Sequence, residues 1–305
     1  MLLLILAALA ADPPLAVKLK TPAAGDRYRC TRRITATTTN SLTVMGNPLP
    51  VPMDPHVARD KWEYTDEVVA WPAAGADGRA EVRRTYLADE AENYPLPGAG
   101  KLAGRTLRLA ADGPGHAFKT AEDGAALNDE EQARAGTALD VPFKGWAFHY
   151  LPAKPLAVGD EHRMDPAVVA RLLIKDDYKH DAGGSSAVCK LVSRERKDGA
   201  DYGRFEMTAD LVLTHALKGH TVKADEAAEP TEVEMPLKDG SKYTFKLVFE
   251  GCVDGSRYDL TATTTERVEL RPDLAKLTGN NEAVPVEVQT VREREMTDRL
   301  EAVEK

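Results

Sequence analysis

Asp160, Glu161 and His162 stand side by side in LPAKPLAVGDEHRM (Leu151 to Met164), two carboxylates and an imidazole directly after a glycine. Such groups can ligate a metal or pass a proton. In an extended chain, however, neighbours point to opposite faces, so Asp160 and His162 share one side and Glu161 takes the other. Three consecutive strand residues do not converge on one ion. The plainer reading is a turn at Gly159 in which Asp160 accepts backbone N–H bonds.

Lys175 to Asp181 (KDDYKHD) is a denser cluster of acids around His180, but it runs into Gly183-Gly184-Ser185-Ser186. The alternate spacing of a calcium loop is missing. It reads as a solvated loop after a helix. His215 and His220 lack the Glu and the i, i+4 spacing of a zinc-protease helix and read as loop or strand-end residues. Gly184-Ser185-Ser186-Ala187 lacks the second glycine of a nucleophile elbow. No phosphate-cradling or dinucleotide-binding glycine pattern occurs. No catalytic, metal or cofactor-binding residue is therefore assigned, and the balance leans away from an enzyme. A hydrolase site assembled from scattered carboxylates and His stays open as an alternative.

Trp146, Phe148 and Tyr150 alternate in WAFHY, which places three aromatic side chains on one face of a strand. In an open β-cup they are the candidate ligand-binding residues, lining a cavity for lipid or another apolar molecule. The competing reading is core packing where two halves of the chain meet.

The elements that would position these groups are mostly strands. Tyr243, Phe245, Leu247 and Phe249 alternate with polar residues, and so do Tyr258, Leu260, Ala262 and Thr264 after a turn at Asp254-Gly255. That is a hairpin with one buried and one wet face. Asp77-Gly78 and Asp198-Gly199 sit between further alternating runs, Glu67–Trp71 with Ala80–Tyr86, and Ala187–Val192 with Phe205–Leu213. Helices are few. Asp165-Pro166 caps one running to about Lys175, and Asn128 with Glu131 forms a capping box for a short one stopped by Gly136. Propensity leaves the tail Arg292 to Lys305 undecided between strand and helix. The expected class is mainly β (a β-rich α+β chain): curved antiparallel sheets built from hairpins, with one or two short helices.

Pro22-Ala23-Ala24-Gly25-Asp26 parallels Pro155-Leu156-Ala157-Val158-Gly159-Asp160, which suggests two related halves. The expected division is a signal peptide over 1–11, an N-terminal half over 12–150 and a C-terminal half over 151–305, which could share one sheet. Met1 to Ala11 (MLLLILAALAA) is apolar, ends in small residues, and is too short to span a bilayer. Export to a periplasm or the exterior is expected, with no transmembrane segment once the leader is removed. The net charge of −9 with no Lys/Arg stripe gives nucleic acid no footprint. Cys30, Cys189 and Cys252 lie far apart, without the close pairs a zinc ribbon needs. A Cys189–Cys252 disulfide and three separately buried thiols both stay open.

LPAKPLAVGDEHRM, followed by a helix and the hairpin strands ending in EGCVDGSRYDLTATTTERVEL, resembles a group of uncharacterised exported bacterial proteins, although His162 stands where that group has an aromatic. The resemblance implies a fold broadly like the half-open β-cups of periplasmic lipoprotein carriers. It brings no catalytic residues. The expected role is a non-enzymatic exported binding or envelope accessory protein, with a structural or protein-interaction role as the rival.

Overall fold

In the computed structural model the described residues are 14–18, 20–44, 47–48, 55–71, 81–93, 102–112, 115–122, 125–136, 151, 154–174, 177–217, 221–222, 231–232, 234–257, 259–273, 275–276 and 286–303. The expected leader at 1–11, the aromatic run 146–150 and the expected Asp77-Gly78 turn lie outside them.

The first half supplies β1 (Arg27–Val44), β2 (Asn47–Pro48), β3 (His56–Ala70), β4 (Glu81–Glu92), β5 (Thr106–Asp112), β6 (Gly115–Ala121) and helix α1 (Asp129–Gly136). The second supplies β7 (Glu161–Arg163), helix α2 (Pro166–Leu173), β8 (Tyr178–Lys197), β9 (Ala200–Ala216), β10 (Thr221–Val222), β11 (Thr231–Glu232), β12 (Met235–Pro236), β13 (Lys242–Cys252), β14 (Asp259–Leu270) and β15 (Val286–Ala302). One antiparallel sheet runs in the order β6-β5-β4-β3-β1-β15-β14-β13-β9-β8-β7, and among the described residues its two ends do not pair. The first and last long strands meet in the middle, so the halves share a single sheet along the β1–β15 seam. The tail that propensity left undecided is the strand β15, because β1 on one side and β14 on the other satisfy its backbone.

Both helices start where the sequence placed them. Asp165 accepts a hydrogen bond from Ala167 N, with Pro166 in the first turn of α2. Asn128 and Glu131 exchange side-chain and backbone bonds at 2.9 and 3.0 Å to open α1.

The likeness of the halves is written in the backbone. Asp26 N bonds Ala23 O, Gly25 N bonds Val68 O and Val68 N bonds Asp26 O; Asp160, Ala157, Gly159 and Leu191 repeat all three. In both copies the aspartate side chain accepts from the first turn residue, at 2.9 Å. Gly25 and Gly159 have φ of 85° and 93°, the conformation a type II turn needs at its third position. A bulge follows at the same place in each half: Val68 pairs Val82 and Ala70 pairs Glu81, while Leu191 pairs Phe205 and Ser193 pairs Arg204. The skipped residues Val69 and Val192 both face solvent. A second pair of turns leads into β5 and β13. Arg105 N bonds Leu102 O with Gly104 at φ 77°, and Ser241 N bonds Lys238 O with Gly240 at φ 86°.

β8 begins at Tyr178, earlier than its alternation from Ala187 indicates. Tyr178 pairs Ala216, and the register slips between Asp181 and Ser186, so the Gly-Gly-Ser run is absorbed as a bulge instead of a loop. Cys30, Cys189 and Cys252 are free buried thiols, which removes the Cys189–Cys252 disulfide alternative.

Candidate functional site

Two places could host function: the covered inner face of the sheet and its wet outer face. Inner-face residues fall into rows across the strands. One row runs Asp89, Trp62, Arg32, Asp298, Ala262, Phe249, Phe205, Leu191. Its chemistry changes at the seam, charged and aromatic in the first half, aliphatic and aromatic in the second.

In the first half the charges are paired and enclosed. Arg32 grips Asp298 at 2.6 and 3.1 Å across the seam. Arg84 meets Asp66 at 2.8 Å through both Nε and Nη2, and its guanidinium lies 3.7 Å from the Tyr64 ring centroid. Arg134 reaches down from α1 to Asp60 and Asp89 and stacks 4.2 Å over Trp62. Asp60 also accepts from Trp62 Nε1, and Asp89 from Leu102 N. Burial works against the Arg84 charge, but the Asp66 charge and hydrogen bonds outweigh it and hold the guanidinium protonated. Burial pushes the Cys30 thiol up to about 12, with the Asp298 charge adding to the effect.

The second half fills the same space with Leu191, Phe205, Met207, Leu211, Phe245, Leu247 and Phe249, none above 3% exposed. Phe205 and Phe249 stack at 5.8 Å over Gly203 and Gly251, where a Cβ would fall 2.7 Å from the Phe205 ring and 2.7 Å from Asp259 O. Val169, Ala170 and Ile174 bring α2 onto the same core, and Leu15 joins it through a backbone pair with Leu156. One contiguous cluster spans both halves, so the inner face is packed where it is described.

The outer face is charged throughout its middle. Arg29 pairs with Glu63, Lys246 with Glu206, Arg267 with Glu269 and Glu293, and Arg83 with Glu122. A lipid-facing strand surface is an apolar band, whereas the described outer face carries these ion pairs. No helix among the described residues is long and apolar enough to cross a membrane.

On this outer face, at the end of the central strands, a cleft of about 590 Å³ opens. Ser41 on β1 and Gln289 on β15, paired across the seam, form its floor with Thr43. Lys238 and Asp239 come from the turn before β13, and Arg271, Asp273 and Lys276 from the segment after β14. Those two segments are tied by Lys238 N to Arg271 O at 2.7 Å and Arg271 N to Ser241 Oγ at 3.0 Å. Asp273 accepts from Lys276 N and pairs with its ammonium at 3.1 Å, bonds that hold its carboxyl below the ordinary range. Burial tends to raise Glu269 beside the cleft, yet the Arg267 hydrogen bond and the charges of Lys242, Arg267 and Arg271 prevail and lower it.

The sequence candidates do not converge. Asp160 Oδ2 caps its own turn, Glu161 lies 3.6 Å from Lys190, and His162 sits opposite Cys189. Lys179 is held by Glu234 at 2.6 Å, and Asp181 accepts from Gly183 N. His180 Nε2 is enclosed without a hydrogen-bond partner among the described residues. His215 Nδ1 lies 3.3 Å from Thr214 Oγ1, and His220 falls outside the described residues. Among those residues no group of three His, Cys, Asp or Glu could hold a metal. Trp146, Phe148 and Tyr150 also lie outside them. The buried charges were missed, although Asp60, Asp66 and Arg84 keep step with the apolar residues Trp62, Tyr64, Val82 and Tyr86. The cleft had no comparable signal, because its residues come from opposite ends of the chain.

No protein-family model matches the chain, and no curated protein matches it. Among solved structures, the crystal structure of the outer membrane protein OprG from Pseudomonas aeruginosa aligns over 93% of this chain and 99% of that one, at 6% sequence identity and a TM-score of 0.23. A likeness that loose bears on neither fold nor function.

Proposed function

We propose that the chain is a non-enzymatic exported binding or envelope accessory protein whose outer cleft, beside Arg271, is its binding site. One observation carries this reading: among the described residues the inner face is packed and its buried charges are paired, while a polar cleft of ligand size opens outside. Export rests on the leader-like run at 1–11, and the charged outer strand faces suit a water-facing protein.

The rival carrier-type reading places an apolar ligand against Trp146, Phe148 and Tyr150. The packed inner face favours the cleft over that cup. A purely structural role is supported by the outer mesh of ion pairs, such as Arg59–Glu92 and Lys61–Glu90 across β3 and β4.

The test is to isolate the protein from its native envelope by gentle fractionation, sequence its N-terminus, and extract it for lipid mass spectrometry. Release with the water-soluble exported fraction, a start near Asp12 and no stoichiometric lipid are expected. Stoichiometric lipid would restore the apolar-cup reading, and retention in the cytoplasm with the leader intact would overturn export.

A further inference from the structure

We propose that the outer cleft binds a small ligand through a carboxylate or phosphate group, with the Arg271 guanidinium as anchor and Lys238 beside it. This rests on the binding reading above and names the chemistry of what is bound.

The first observation is the charge left over in the cleft. Several outer-face cations elsewhere are paired, Arg29 with Glu63, Arg59 with Glu92 and Arg267 with Glu269 and Glu293, while Arg33 and Arg204 stand on open strand faces. Within the cleft Lys276 is taken by Asp273. Glu269 is hydrogen-bonded to Arg267 at 2.9 Å and lies 3.8 Å from Lys242. Among the described residues neither Arg271 nor Lys238 makes an ion pair, although Glu269 feels the Arg271 charge and Asp273 that of Lys238. Asp239 also stands at the rim and Glu287 pairs Thr43 across the seam, so Arg271 and Lys238 are the cleft cations that no described acid pairs.

The second observation is that the anchor is held in place. Arg271 N and O are both bonded, to Ser241 Oγ and Lys238 N, which fixes its backbone and that of Lys238 together. Its guanidinium packs close against Gly240, where a Cβ would sit 3.3 Å from Nη1 and 3.4 Å from Cζ. A guanidinium presents a planar fork of donors that can grip an oxyanion with two parallel bonds. Ser41, Thr43 and Gln289 supply uncharged donors and acceptors on the floor, which suits a ligand that also carries hydroxyl groups.

The experiment titrates the purified protein by calorimetry with three probes: inorganic phosphate, galacturonate and its uncharged counterpart galactose. Binding of phosphate or galacturonate is expected, weakening as salt is added, with galactose silent. Phosphate alone or galacturonate alone assigns the oxyanion to one source, and either supports the proposal. Arg271→Ala should weaken the anion about tenfold to a hundredfold, the range for losing a charged hydrogen-bonded partner. Arg271→Lys should recover part of that loss, because charge returns without the fork. Lys190→Ala, on β8 far along the sheet, should bind as the parent does. Equal binding of galactose and galacturonate, unchanged in Arg271→Ala but lost in Gln289→Ala, would overturn the oxyanion assignment and leave the cleft reading standing. No binding of any probe up to about 10 mM, the scale of the weakest specific sites, would overturn both.

Discussion

The inward rungs of the β3–β4 hairpin are Val68–Val82, Asp66–Arg84 and Tyr64–Tyr86. Those of β8–β9, counted from the same turn and the same bulge, are Leu191–Phe205, Cys189–Met207 and Ala187–Ala209. Both hairpins start against a glycine turn with matching hydrogen bonds, and both skip one exposed valine. What they enclose differs completely. Backbone shape is set here by turn, bulge and alternation, and the chemistry of the enclosed rungs is free to change so long as each polar group finds a partner. A buried ion pair and a well-packed apolar pair can occupy equivalent places because desolvation consumes most of the Coulombic gain.

The sharpest way to break this comparison is to unbalance the charged rung. Arg84→Leu strands Asp66 in the interior and should cost about 3–5 kcal/mol of stability, read from the shift in urea midpoint. Asp66→Cys with Arg84→Met installs the other hairpin's rung and should regain most of that loss. A double variant as unstable as the single would show that the two hairpins are not interchangeable.

The turns offer a smaller and more symmetrical test. A Cβ at Gly104 or Gly159 meets nothing within 4 Å, so alanine there carries only the cost of positive φ. Each substitution should lose about 1–2 kcal/mol, and by similar amounts, if the backbone alone demands glycine. Tyr64 Oη and Tyr86 Oη are enclosed without hydrogen-bond partners among the described residues. Tyr64→Phe and Tyr86→Phe should therefore be neutral within about 0.5 kcal/mol or slightly stabilising. Thermal melts that fall steeply for either would reveal a bonded water or partner at that hydroxyl.

The thiols give a readout without any variant. Burial pushes Cys189 up to about 11 and Cys30 to about 12, so neither presents thiolate near neutral pH. A chromogenic disulfide reagent should count no reactive thiol in the native protein and three after denaturation without reductant; a count of one would restore the disulfide. Since both folded values are raised, the stability these thiols contribute is complete below the ordinary value of 9.0. It is lost as pH rises toward the folded values.

Much of the local architecture was legible. The Asp165-Pro166 and Asn128–Glu131 signals mark helix starts because capping is a local bond between near neighbours. The Gly25-Asp26 and Gly159-Asp160 echo is readable because an aspartate closes both turns. The second pair, at Gly104 and Gly240, escaped notice because its common element is a backbone angle, with Ala and Arg flanking one glycine and Asp and Ser the other. The β1–β15 seam was unreadable for a different reason: it joins residues such as Arg32 and Asp298 that only the curl of the whole sheet brings together. The cleft inherits that difficulty, since Ser41, Arg271 and Gln289 become neighbours through the seam.

The claim that binding happens outside a packed sheet can be tested most directly by backbone amide NMR during a galacturonate or phosphate titration. Shift changes should gather at Ser41, Lys238, Gly240, Arg271 and Gln289 and leave Trp62, Tyr64, Phe245 and Phe249 still. Saturable shifts at those four core residues, with the cleft amides unmoved, would contradict it.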